Sequence, residues 1–89
     1  MTFIPTPNRI DARVTWDARR DRPATVVAAG RRLSVTRLIA RREELAAFPA
    51  TRGPRVTYLV TTNAGDVRLV FDVRRRAWHV EAAPLAVAA

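Results

Sequence analysis

The 89-residue chain has no cysteine and no lysine, one histidine and one serine. Without thiols there is no disulfide, thiolate metal site, cysteine nucleophile or redox motif, which suits a cytoplasmic protein held together by packing alone. Its three glycines, Gly30, Gly53 and Gly65, are isolated and form no phosphate-cradling loop. No apolar run approaches the roughly 18 residues of a membrane span. The opening residues MTFIPTPNRI have neither the basic start nor the apolar stretch of a secretory leader. Catalysis needs converging titratable groups, and these are scarce as well. His79 sits between Trp78 and Val80 at an outward strand position, Ser34 lies inside a strand without an elbow motif, and the eight acids are scattered over turns. The reading is a non-enzymatic protein with no cofactor, no metal and no membrane association.

What the chain does have is positive charge of a single kind. Sixteen arginines face eight acids, for a net charge of +8. Guanidinium is planar, always charged and matched to phosphate or carboxylate. A GC-rich coding sequence would favour arginine over lysine without any functional cause, but it does not account for the excess of charge.

At this length one domain and one modest core are expected. Pro5 and Pro7 restrict the first residues to extended geometry, so residues 1–11 read as an arm, with Phe3 and Ile4 as its apolar contacts. Residues 12–16 alternate at strand period, with Ala12, Val14 and Trp16 inward. Residues 17–23 read as a loop ended by Pro23. Residues 24–28 form a second strand, Ala29-Gly30 a turn, and residues 32–40 a long third strand. There Leu38-Ile39 breaks the alternation, which predicts a bulge near Arg37. Residues 41–48 (RREELAAF) are good helix formers and predict a helix of about two turns, or a structured loop, before Pro49. Two hairpins follow: residues 55–62, the turn Asn63-Ala64-Gly65-Asp66, residues 67–72, a tight turn at Arg74-Arg75, and residues 77–81. Residues 82–89 are an apolar tail. The fold class is mainly β, a small curved antiparallel meander of five to six strands or a partly open barrel, with one short helix between strands three and four.

In such a meander the connections after strands one, three and five lie at one end. They carry Arg19, Arg20, Arg22, Arg41, Arg42, Arg52, Arg55, Arg74, Arg75 and Arg76, diluted by Asp17, Asp21, Glu43, Glu44 and Asp72. An end of this kind attracts a polyanion. Solvated charge at hairpin tips is also what solubility and the blocking of edge pairing require. The predicted phosphate contacts are Arg19, Arg20, Arg41, Arg42, Arg74, Arg75 and Arg76. Single-strand binders display aromatics on a basic groove. Here Trp16, Tyr58, Phe71 and Trp78 fall on predicted core faces, leaving Phe3 and Phe48 as exposed anchors.

The order of elements carries a resemblance. Residues 22–39 (RPATVVAAGRRLSVTRLI) and 55–81 (RVTYLVTTNAGDVRLVFDVRRRAWHVE) resemble a small uncharacterised β-rich domain family of high-GC bacteria. Members of that family pair with or neighbour Y-family translesion-polymerase-like repair proteins. The likeness spans roughly residues 12–81 and rests on structural motifs, with Phe48 where the pattern has tryptophan. It implies a compact β domain with an accessory role near DNA repair, and supplies no catalytic residues. Composition, topology and resemblance together predict an accessory domain that binds nucleic acid or a DNA-processing partner through its arginine-rich end. The alternative is a protein-interaction or homodimerisation module using a sheet edge or the arm at Phe3 and Ile4.

Overall fold

The structure is a computed structural model that describes residues 4–45 and 53–83, with side chains over 10–45 and 53–82. Strand-forming residues separated by turn formers give six strands: β1 (Ile4–Asp17), β2 (Arg22–Ala28), β3 (Arg31–Glu44), β4 (Arg55–Thr62), β5 (Gly65–Asp72) and β6 (Ala77–Ala83). Each pairs antiparallel with its chain neighbour, and β6 returns to pair with β1, so the meander closes into a barrel. A row of partners followed from Arg31 through Ala28, Ala12, Trp78, Phe71 and Val56 re-enters β3 at Glu43, twelve residues along. A stagger of two residues per strand tilts the strands by roughly 50°.

Alternation decides what fills the interior. β4 shows it most plainly, with Val56, Tyr58, Val60 and Thr62 buried and the residues between them half-exposed. Val26, Leu33, Val67, Leu69 and Val80 meet that face in one cluster, with Ile10, Val14, Val35, Leu38 and Phe71 packed around it. The bulge expected near Arg37 is present between Val35 and Arg37, and a second lies between Leu38 and Ala40. Together they restore the alternation, keeping Leu38 inside and leaving Ile39 exposed.

The turn between β4 and β5 is built from side chains. The Thr62 hydroxyl donates to the Gly65 carbonyl at 2.6 Å and accepts the Ala64 N–H at 3.1 Å. The Asn63 N–H donates to the Ser34 carbonyl and its Oδ1 accepts the Ser34 N–H at 2.9 Å, which ties the turn to β3. Asn63→Ala removes one of these bonds and is expected to cost about 0.5–1.5 kcal/mol in urea unfolding at pH 7.

Several expectations change. Arg41 to Glu44 belong to β3 as strand, not helix, because ladder pairing with β4 outweighs local helix propensity: Arg41 is opposite Tyr58 and Glu44 opposite Arg55. Ala46 to Phe48, the rest of that helix, lie outside the described residues. β1 starts at Ile4, within the residues read as an extended arm, and Ile4 and Pro5 are opposite Ala83 and Ala82. Phe3 lies outside the described residues, as does the side chain of Ile4. Arg22 and Pro23 join β2 rather than the loop before it. His79 points outward in parity yet is buried, opposite the equally buried Val70.

Candidate nucleic-acid interface

The connections after β1, β3 and β5 share one end of the barrel, as antiparallel order demands. In the first, the Asp17 carboxylate accepts the N–H groups of Arg19 and Arg20 at 3.0 and 3.2 Å, and Arg20 adds its guanidinium at 3.2 Å. Those bonds hold the Asp17 carboxyl below its usual range, the backbone bond from Arg20 being the largest cause. Asp17 therefore shapes the turn that carries Arg19 and Arg20, and both arginines are exposed.

In the third, the Arg75 N–H donates to Asp72 at 3.1 Å, and Arg76 closes the turn with a positive φ of 51°. The Val73 N–H reaches the Pro54 carbonyl, and the Arg74 side chain lies where a Cβ on Gly53 would touch it at ordinary contact distance. The second and third connections are thus joined. Gly53 is needed for its φ of +70°, which an L side chain rarely adopts.

The strand period separates Arg41 from Arg42. Arg42 points outward beside Glu44, at 3.7 Å, over a polar groove of about 530 Å³ that also holds Arg55, Thr57, Arg68 and Glu81. Arg41 points to the barrel mouth, its guanidinium 5.7 Å from the Tyr58 ring centre and its Nε donating to the Tyr58 hydroxyl at 3.4 Å. Glu43 pairs with the same guanidinium at 2.5 Å. The Tyr58 bond, followed by the Glu43 bond, raises the Arg41 pKa further above an already high value, so it stays charged.

The steep tilt has one more effect. Arg75 shares a groove of about 580 Å³ with Asp11, Arg13 and Gly30, although Gly30 belongs to a turn at the opposite end of the strand order. The seven predicted arginines therefore fall into three settings: the β1–β2 turn with Arg19 and Arg20, the mouth with Arg41, and the outer wall with Arg42 and the β5–β6 turn. Arg13 joins them unforeseen, because cross-barrel stagger has no signature in local sequence.

Trp16 is the other surprise. It shares inward parity with Ala12 and Val14, yet it is 42% exposed. The register slips between Thr15 and Trp16, leaving Ala24 as an extra residue on β2 and setting Trp16 opposite the buried Pro23. A bulge re-aims the side chains beside it. The indole lies edge-on to Tyr58 at 5.9 Å and tilted to Trp78 at 6.5 Å, while Phe71 completes the cluster 5.1 Å from Trp78. Tyr58 is core as expected; Phe71 and Trp78 are half-buried. Pro23 read as the end of a loop; only the pairing shows it inside β2, where proline is typical of bulges and strand starts.

No group of three or more metal-ligating side chains occurs among the described residues. No family model matches the chain, and no match was found among curated proteins or among solved structures.

Proposed function

We propose that this barrel is a non-enzymatic nucleic-acid-binding domain whose arginine-bearing end holds the phosphate backbone. The observation that carries this reading is the exposure of Arg19 and Arg20 in the β1–β2 turn, Arg41 at the barrel mouth, and Arg42, Arg74, Arg75 and Arg76 on the outer wall and the β5–β6 turn. The acids among them serve mainly local ends: Asp17 and Asp72 accept turn N–H groups, and Glu43 holds Arg41. Net charge of +8 adds long-range attraction for a polyanion. These arginines are phosphate contacts, which position a strand without reading its sequence.

The test is fluorescence anisotropy of labelled single-stranded and duplex oligonucleotides at about 50 and 200 mM salt. With several phosphate contacts, affinity should fall by orders of magnitude across that range. Replacing Arg74, Arg75 and Arg76 together by Ala should weaken binding more than tenfold at low salt and flatten the logarithmic salt slope by about 2–3. Absence of binding by the wild-type chain at low salt would overturn the proposal and move the search to protein partners and self-association. Closure of β1 on β6 bears on that alternative, since neither can receive a partner strand as the terminal strand of an open sheet.

A further inference from the structure

We propose that the barrel mouth at Trp16 is a stacking platform for an unpaired nucleobase, making single-stranded nucleic acid the ligand class of the arginine-bearing end. This rests on the phosphate-binding reading above and adds to it a site that selects strand state. The first ground is the exposure of Trp16. An inward-facing tryptophan on a barrel strand ordinarily fills the core, where its large apolar surface contributes most. Here the bulge opposite Pro23 lifts it to the rim and leaves 42% of it in solvent.

The second ground is rigidity. Trp16 meets Tyr58 edge-on, with an interplanar angle of 77°, and Trp78 lies behind both, 5.4 Å from Tyr58. A ring held on this framework has little freedom left to lose when a base stacks on it. The third ground is the charge placed beside the ring. Arg41 is fixed over Tyr58 by the ring, the hydroxyl and Glu43, and its side chain is still 45% exposed. Arg19 and Arg20 follow three and four residues after Trp16, exposed in the β1–β2 turn. A strand with a base on Trp16 would thus find Arg41, held over the Tyr58 ring that Trp16 touches, and the arginines of the β1–β2 turn as candidate phosphate contacts. Duplexes bury their base faces in the stack, so only an unpaired strand can use the ring.

The test compares wild type, Trp16→Leu and Trp16→Phe by anisotropy on single-stranded and duplex oligonucleotides of equal charge. Leucine keeps an apolar contact without a flat face, and phenylalanine keeps the face. Trp16→Leu should lose roughly ten- to hundredfold in affinity for the single strand and stay within about twofold on the duplex. Trp16→Phe should recover most of the loss. Thermal melts of both variants establish that the barrel is intact. In a Trp78→Phe chain, the emission of Trp16 should be quenched as the single strand is added. Equal single-strand affinity in wild type and Trp16→Leu, with salt-sensitive duplex binding retained, would overturn the stacking site and leave the phosphate surface standing. Failure of the wild-type chain to bind either oligonucleotide would remove both.

Discussion

Leu69→Ala is expected to remove about 3 kcal/mol of stability, most of what a domain of this size has. Leu69 is fully buried on β5, opposite Tyr58 on one side and Val80 on the other, at the centre of the barrel interior. A closed barrel relaxes poorly around a missing side chain, because neighbouring strands are held by ladders on both edges. The cavity therefore persists, and its lining loses contacts as well as transfer energy. The midpoint of thermal unfolding should drop by on the order of 15 °C. Val27→Ala is the control: Val27 lies on the same sheet but on its outer face and is 38% exposed, so its loss should stay within about 0.5 kcal/mol. Equal melting of the two variants would mean that the interior is not packed as described.

Glu81→Ala is expected to cost about 2–3 kcal/mol at pH 7, out of proportion to a surface ion pair. Arg55 on β4 and Glu81 on β6 pair across the intervening β5, and the Arg55 side chain is only 12% exposed. Its Nε is buried without a hydrogen-bond partner, and Thr57 is its other side-chain contact, at 3.4 Å. Taking Glu81 away leaves that guanidinium charged and poorly solvated, so the loss exceeds the worth of the pair itself. The double change Arg55→Met with Glu81→Leu should recover most of it, since no charge is then stranded. The hydrogen bond from Arg55, followed by the charges of Arg55, His79 and Arg68, holds the Glu81 carboxyl below its usual 4.5 despite opposing desolvation. A carboxyl depressed on folding stabilises fully above its unfolded value and loses that contribution as pH falls through its folded value. Wild type and Glu81→Gln should therefore differ most above pH 4.5 and converge below it in urea titrations. A constant gap down to about pH 2 would disprove the ionised pair.

The candidate site is only partly legible in the chain. Arg19, Arg20, Arg74, Arg75 and Arg76 sit in or beside the loop read at 17–23 and the tight turn read at Arg74-Arg75, and the structure keeps connections at both places. Propensity assigns Arg41 and Arg42 to a helix, and pairing with β4 turns them into strand residues facing opposite ways. Alternation assigns Trp16 to the core, and one slipped residue at Ala24 moves it to the rim. The same alternation assigns His79 to the outside; its parity holds, yet the residue is buried.

By itself the sequence determined a mainly β meander of five to six strands, most of the turns between them and the excess of positive charge. These follow from neighbours in the chain: β-branched residues at period two, Asn-Ala-Gly-Asp at one hairpin, and arginines gathered into connections. Tertiary structure alone decided that the sheet closes, which face Arg41 presents, that Trp16 stays in solvent, and that Arg55 meets Glu81. Each depends on register accumulated around six strands, where one bulge redirects a side chain and a twelve-residue stagger brings distant turns level. Such sums are set by packing of the whole barrel, and no local stretch of sequence contains them.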